Sequence, residues 1–261
     1  MVTPGSAFDC LHLNWAVPLA DLPPPPDPLR FEPHEAEGRR YVFVSAVLSG
    51  QLLTLGRLSL SHPQLGVRIC AVDEEGHPVF LIRRHLVPAW ALPGARLVGG
   101  QPALAARFDF PQASVEPDSE GRRWTVLKGR GLIVHARLAS PRVGEGPSLG
   151  SWEQTVAHFS RRPAYLAHPG GLQRLDGEAR PKEVLPMEAT LERQDLLVEC
   201  LGISGGGLPG LHSAWLCPQV SPITARERET QQALANSRAP VAPDPAMFTA
   251  GLPPSGNAEA A

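Results

Sequence analysis

The sequence predicts one large, mainly β (α+β) domain built on an antiparallel sheet that curls, with a few peripheral helices. Short runs rich in β-branched and aromatic residues recur along the chain, separated by polar turns. The chain contains 29 prolines and 25 glycines, which favour turns and disfavour long helices. Its 261 residues, 43% of them hydrophobic, are enough to bury a sizeable core.

The N-terminal 30 residues are predicted to form an arm laid over the body, because Pro23–Pro26 must be extended and cannot pair inside a sheet. Strands follow at Arg40–Leu48 and Leu52–Leu60. Neither face of the second run is cleanly polar. A strand interrupted by Gly56 and a short helix are therefore both compatible with it.

A hairpin is predicted at the centre of the chain. Apolar runs at Val67–Val72 and Val79–Ile82 flank a polar turn at 73–78 that contains Gly and Pro. The second strand runs into Arg83-Arg84-His85. Residues 86–97 contain two prolines and a glycine, so we expect at most a broken helical turn there.

The second half of the chain predicts more strands and one clear helix. Gly129–Gly131 is expected to form a bulge or bend within the sheet, and residues 161–181 are expected to form a loop. Trp152–Ser160 has apolar residues at helical spacing after Ser151, a favourable N-cap. Strands are predicted at Ala103–Phe110, Arg122–Leu127, Leu132–Leu138, Val184–Leu191, Leu196–Leu201 and His212–Cys217.

The chain divides near residue 220, where the composition changes. Residues 1–220 are predicted to form a single β-barrel-like domain with an N-terminal arm. Residues 221–261 are predicted to form a polar helix and a Pro/Ala-rich tail that is poorly ordered, because this part lacks material for a core.

Composition excludes several classes of partner. The net charge of −2 and the lack of a basic stripe argue against nucleic acid. No run of about 18 apolar residues and no signal-like N-terminus occur, which predicts a cytoplasmic protein without membrane contact. The four cysteines form no C-x-x-C pair, which favours a reduced state. A homo-oligomer is left open.

One short motif suggests hydrolase chemistry and is rejected. Gly202-Ile203-Ser204-Gly205-Gly206 fits G-x-S-x-G and follows an apolar run. The glycines and proline that follow cannot form the helix that a nucleophile elbow requires. The later His212 also has no acidic residue between it and Ser204 to complete a triad. The segment is interpreted as a glycine-rich loop.

No metal and no cofactor are predicted. The nine histidines include no H-x-x-x-H or H-E-x-x-H pattern. The glycine-rich segments also lack the Lys-Ser/Thr pair of a phosphate-binding loop.

Several segments share an order and a spacing with a known family: Tyr41–Leu48, Val67–Val72, Val79–Leu97, Arg123–Arg130, the Trp152 helix and His212–Trp215. Over about residues 10–220 they resemble a bacterial domain-of-unknown-function family within the acetoacetate decarboxylase-like superfamily. The resemblance implies a curled, mainly antiparallel sheet that closes into a barrel around an apolar cavity.

The resemblance also shows what this chain lacks. In the decarboxylases of the superfamily, a lysine beside a second lysine forms a Schiff base with a β-keto acid, after a strand that ends in Gly-Arg-Glu. Here Arg84 matches the arginine, His85 replaces the glutamate, and apolar residues stand where the lysine pair would be. Arginine cannot form the imine, because its guanidinium stays protonated. The only lysines are Lys128, at a predicted strand end, and Lys182, in a predicted loop.

Three hypotheses follow. The first is a barrel that binds a small molecule through Arg68, Arg84, His85 and Trp90, with a carboxylate as a suitable ligand for paired arginines. The second is a lyase or decarboxylase-like enzyme that uses His85 as general acid/base or Lys128 as nucleophile; no catalytic residue is otherwise identified. The third is a scaffold with a filled interior. A simpler interpretation is that Arg83, Arg84 and His85 lie on a solvated rim while Trp90 is a core residue.

Overall fold

A computed structural model describes residues 2–3, 7–55, 58–99, 103–111, 121–144, 146–160, 162–168, 171–175, 179–181, 183–204 and 206–222. The first nine strands are β1 (Val2–Thr3), β2 (Ala7–Pro18), β3 (Arg30–Phe31), β4 (Pro33–Ala36), β5 (Arg39–Leu55), β6 (Leu58–Val72), β7 (Pro78–Val87), β8 (Ala103–Ala105) and β9 (Arg107–Asp109). The others are β10 (Arg122–Lys128), β11 (Arg130–Leu138), β12 (Ala164–His168), β13 (Gly171–Leu175), β14 (Ala179–Pro181), β15 (Leu185–Arg193) and β16 (Ser213–Pro222). The helices are α1 (Leu92–Gly99), α2 (Trp152–Ser160) and α3 (Asp195–Leu201).

The strands belong to one large sheet, which confirms the mainly β fold with few helices. Its main path runs β13-β12-β7-β6-β5-β2-β16-β15-β11-β10-β9. Most pairs are antiparallel, but β7 pairs in parallel with both β12 and β8, so the sheet is mixed. Within the described residues the path has two ends, at β13 and β9, and the ladder is not seen closing into the predicted barrel.

The sheet has two different faces. We call inner face the one that carries the large apolar cluster containing Trp15, Trp124 and Val67. The outer face carries a smaller cluster with Phe43 and Trp215, against which Phe159 of α2 packs. Helix α3 contacts β11 and also β6 and β7, which lie far from β11 along the path. The sheet therefore bends around the inner cluster.

Several local predictions are confirmed. Strands β6 and β7 form the predicted hairpin, with Val72 paired to Pro78 across the turn. Helix α2 begins after Ser151, whose Oγ accepts a hydrogen bond from the backbone N–H of Gln154 at 3.3 Å. The Gln154 side chain accepts in return from the N–H of Ser151 at 2.7 Å, which completes a capping box.

The N-terminal segment differs from its prediction. Residues 7–18 form β2, a central strand between β5 and β16, rather than an arm over the body. The prolines at 23–26 are indeed outside any strand. The run at 52–60 contributes to two strands, β5 and β6, which pair with each other up to Leu55 and Leu58; Gly56 lies outside the described residues.

The strand break predicted at Gly129–Gly131 is confirmed at Gly129, which forms a bend at φ 66° and reverses the chain between β10 and β11. Two other predictions were wrong. Residues 92–99 form the helix α1, and the predicted loop at 161–181 contains β12, β13 and β14. The predicted tail at 223–261 lies outside the described residues, so the domain division near residue 220 stays a prediction. Among the described helices, none has the length and apolarity needed to cross a bilayer.

The run predicted as a strand at 196–201 is the helix α3. Its buried residues Leu196, Leu197, Cys200 and Leu201 lie on one side of a helix, and so short an apolar run does not distinguish helix from strand. Gly202 ends the helix in the left-handed conformation at φ 70°, and its N–H donates to the carbonyls of Val198 and Glu199. The first glycine of G-x-S-x-G is thus a helix C-cap.

Replacing Gly202 with alanine is expected to destabilise the protein by about 1–2 kcal/mol, because a Cβ disfavours the left-handed conformation. A Cβ at this position would also lie 3.2 Å from Cγ of Pro23. Urea unfolding measures the change. Gly210→Ala is the matched control, since its added Cβ meets open space. An equal stability for the two variants would contradict the capping role.

Candidate functional site

The four predicted ligand contacts do not converge on one place. Arg84 is paired with Val67 and therefore shares the inner face with it. His85 is paired with Gly66, on the outer face, where Nε2 lies 2.8 Å from Oε1 of Gln64. Arg68 is also on the outer face. Trp90 is 58% exposed and meets the His62 ring edge-on at 6.0 Å, so it is not a core residue.

A β-bulge explains the position of Arg84. The register of β6 and β7 shifts between Val67, which is paired with Arg84, and Arg68, which is paired with Ile82. Arg83 is the extra residue, and it reverses the alternation of β7. Arg84 consequently reaches the inner face, where it is exposed and donates from Nη1 to the carbonyl of Arg83 at 3.0 Å.

Lys128 reaches the same part of the inner face from the other side. Trp124 and Val126 are buried in the inner cluster, and Lys128 follows at the next inward position of β10, half-buried. The charges of Arg84 and Lys128 both act on the thiol of Cys200 in α3. Burial raises the pKa of its thiol to about 11, although the charges of Arg84 and Lys128 act to lower it.

We call Arg84, Lys128 and Cys200 the inner rim. Within the part of the chain that the structure describes, neither Arg84 nor Lys128 forms an ion pair, whereas the nearby Arg130 is 3.8 Å from the Glu199 carboxylate. The inner rim thus presents two uncompensated cations at the edge of an apolar cluster. Such a site suits an anionic ligand with an apolar body.

The outer face holds a second polar group beneath α2. We call Glu32, Arg68, Cys70, His158 and Arg162 the α2 cluster. Arg162 binds both oxygens of Glu32, with Nη2 at 3.3 Å from Oε1, and its Nε donates to the carbonyl of His158 at 2.7 Å. Glu32, between two short strands, is thereby tied to the end of α2.

The Glu32 carboxylate is strongly stabilised. Burial by itself would raise its pKa, but His34, with Nε2 at 3.9 Å, and Arg162 outweigh burial and lower the pKa to about 2. Burial, reinforced by the Arg162 charge, lowers the pKa of His158 to about 3. At neutral pH the pair is an ionised carboxylate and a guanidinium beside a neutral imidazole.

The α2 cluster contains atoms that could bind a metal ion, but a guanidinium group contacts them instead. The ligand atoms of Glu32, Cys70 and His158 lie within 4.8 Å of one another, a donor set that suits zinc. Arg162 contacts both Glu32 and His158, so a guanidinium already supplies the positive charge that a metal would bring.

Cys70 is also unsuited to nucleophilic chemistry. His158 Nε2 lies 3.7 Å from its Sγ, which resembles a Cys–His pair. Burial raises the pKa of the Cys70 thiol to about 12, so the reactive thiolate is not formed at neutral pH. The α2 cluster is therefore a charged, closed group rather than a protease-like site.

Sequence reasoning identified Arg84, Arg68 and Lys128 but missed Glu32, His158 and Arg162. Glu32 and Arg162 are separated by 130 positions, and no motif spacing connects them. Helix α2 offered a partial signal, because its apolar stripe at Trp152, Val156 and Phe159 marks the side that packs on the sheet. His158 is next to that stripe. Lys182 lies outside the described residues.

No protein-family model matches the sequence, and no curated protein matches it either. Solved structures do. The enduracididine biosynthesis enzyme MppR, with HEPES buffer bound, has a TM-score of 0.55 at 15% identity over 84% of this chain and 86% of MppR. The same enzyme complexed with pyruvate has a TM-score of 0.54 at 14% identity over 85% of this chain and 89% of MppR.

Acetoacetate decarboxylase from Legionella pneumophila also matches, with a TM-score of 0.47 at 13% identity over 84% of this chain and 87% of that enzyme. The chain thus shares the fold of MppR at low identity. The more specific assignment to a domain-of-unknown-function family has no matching family model.

Proposed function

We propose that this protein binds a small carboxylate at the inner rim and does not use the Schiff-base chemistry of the decarboxylases. The observation that carries the proposal is that the charges of Arg84 and Lys128 both act on the Cys200 thiol, while the acidic group that also acts on it, Glu199, is paired with Arg130. A guanidinium and an ammonium together favour a carboxylate. The apolar inner cluster beside them suits the rest of the ligand.

The enclosing wall is part of this proposal. Strand β8 pairs with β7, strand β9 pairs with β10, and only Ala106 separates β8 from β9. We infer that this segment bridges the two halves of the sheet and gives the inner rim a barrel-like surround. The N–H of Ala106 donates to the carbonyl of Val87 at 2.9 Å, which supports a continuous contact along the segment.

The sequence argues against amine catalysis. A Schiff base needs a lysine amine, and its activation in this superfamily, by the resemblance, depends on a second lysine. The whole chain has only Lys128 and Lys182. Arg84 cannot form the imine itself, but a neighbouring cation is what activates a Schiff-base lysine, so borohydride trapping tests Lys128 directly.

Pyruvate is the first ligand to test, because a solved structure of MppR is a complex with pyruvate. We expect saturable binding to the wild-type protein by isothermal titration calorimetry. Arg84→Met should weaken it by roughly 10- to 100-fold, since a hydrogen bond to a charged group contributes about 1.5–3 kcal/mol. Arg123→Met is the control, because Arg123 is exposed and pairs with Glu192. No binding, or equal binding to Arg84→Met, would refute the proposal.

A lyase or decarboxylase-like enzyme is the second candidate, favoured by the half-buried inner-face position of Lys128. Its test is separate. The protein is incubated with acetoacetate and borohydride, and the products are analysed by mass spectrometry. A trapped adduct on Lys128 that disappears in Lys128→Met would establish amine chemistry. We expect no adduct. His85, the other candidate base, faces away from the inner rim.

A further inference from the structure

Arg68 carries a charge that no described residue neutralises. Its Cζ lies 4.3 Å from the centre of the Phe80 ring, and Nη2 lies 3.3 Å from both the Phe159 carbonyl oxygen and Nδ1 of His12. Nε is shielded from solvent and has no hydrogen-bond partner. Within the described ranges, no carboxylate forms an ion pair with Arg68, although six arginine–carboxylate pairs occur elsewhere.

The neighbours of Arg68 do not supply the missing negative charge. The one carboxylate of the α2 cluster, Glu32, is bound to Arg162. Three thiols surround Arg68, and burial raises the pKa of each to about 12, so they are neutral: Cys10, Cys70 and Cys217. Burial and the Arg68 charge hold the pKa of His12 well below its ordinary value, so this imidazole is neutral too.

The described part of the α2 cluster therefore contains two guanidinium groups and one carboxylate, with an excess of one positive charge. Arg68 is half-buried, and a partly desolvated charge without a counter-charge is stabilised when a partner of opposite sign binds beside it. Dipoles offset part of the desolvation cost, because the Phe159 carbonyl at the end of α2 accepts from Arg68. They leave Nε unsatisfied.

We propose that Arg68 binds a small monovalent anion, of the size of formate or chloride, beneath α2. Apolar and aromatic groups lie around this position, which suits a small anion better than a bulky one: Phe80 lies under the guanidinium, the Phe159 carbonyl accepts from it, and His12 is stacked on Trp215 at 5.1 Å. The anion would accept from the guanidinium N–H groups that protein atoms leave free. This site is on the face opposite the inner rim, so it is independent of the proposed pyruvate site.

The test measures thermal stability while formate replaces gluconate at constant ionic strength. Gluconate, a much larger carboxylate, serves as the reference anion. The melting temperature of the wild-type protein should rise saturably with formate, by roughly 5–10 °C at about one hundred times the dissociation constant. A parallel titration with chloride tests a halide of similar size. A flat response of the wild-type protein to both anions would overturn the proposal.

Arg68→Met separates anion binding from a structural role. In gluconate this variant should be as stable as the wild-type protein or more stable, because it removes an unneutralised charge, and formate should not raise its melting temperature. If Arg68 only caps α2, the variant will be less stable at every formate concentration by the same amount. That result would refute the proposal, as would an unchanged formate response.

Two further variants complete the design. Arg68→Gln, which keeps much of the length and some polarity, serves if the methionine variant does not fold, and it too should lose the formate response. Arg123→Met, at an exposed arginine with a carboxylate partner, should keep the full response. Loss of the response in Arg123→Met would show that the response does not depend specifically on Arg68 and would also contradict the proposal. Pyruvate binding at the inner rim should be unaffected by Arg68→Met.

Discussion

Replacing Glu32 with glutamine is expected to destabilise the protein by about 3–5 kcal/mol, because it leaves a buried guanidinium without its partner. The Arg162 side chain is only 6% exposed, and Glu32 is its sole carboxylate contact among the described residues. Glutamine preserves the shape but not the charge. The ion pair also fixes the end of α2 to the segment around Glu32, so its loss should loosen the helix.

Urea unfolding at neutral pH measures this change. The control is Glu192→Gln, because Glu192 is 49% exposed and pairs with Arg123 and His135 at the surface. Exposed pairs contribute at most about 1 kcal/mol. The effect of Glu32→Gln should be nearly constant from about pH 8 to about pH 5, since the pKa of Glu32 lies at about 2 in the folded protein and near 4.5 ordinarily. Similar losses of unfolding free energy in both variants would show that the Glu32–Arg162 pair stabilises the protein no more than an exposed pair does.

Trp215→Ala is expected to cost about 3–5 kcal/mol, the range for removing a large buried aromatic side chain. Trp215 is fully buried and joins α2 to the sheet. Its ring stacks on His12 at 5.1 Å and meets Trp152 edge-on at 5.8 Å, both as centroid distances. Without the indole, α2 loses these contacts with the sheet. The rise in melting temperature that formate produces through Arg68 should therefore disappear in the same variant.

Trp90→Ala is the matched control for this experiment. Trp90 is the same residue type but is 58% exposed, and its removal should change stability by no more than about 0.5 kcal/mol. Urea unfolding gives the free energies, and near-ultraviolet circular dichroism reports the packing of α2 through its aromatic contacts. A Trp215→Ala protein with wild-type stability would mean that α2 is not anchored through this residue.

The fold class could be predicted because its signals are local. The β6–β7 hairpin has a polar turn between apolar runs, and α2 has a capping residue before a helical stripe. Predictions failed where one local pattern fits two structures. The six residues 196–201 are apolar enough for a strand or a buried helix, and only Gly202 beyond them indicates the helix.

The candidate sites were less accessible to sequence reasoning. The resemblance singled out Arg84, and the scarcity of lysine singled out Lys128. The α2 cluster depends on contacts between distant residues: 88 positions separate Cys70 from His158. No short pattern encodes such a contact. The charge imbalance at Arg68 is visible only when burial and ion pairs are known.

The bulge at Arg83 has a consequence for how this wall can change over evolutionary time. If β7 regained strict alternation without losing a residue, Arg83 would take the position opposite Val67, and Arg84 would move to the same side as Phe80. Deletion of Arg83 would instead leave Arg84 on the inner face. Divergent proteins of this fold could thus change which of two adjacent arginines faces the apolar core through the bulge alone, with no substitution at either arginine.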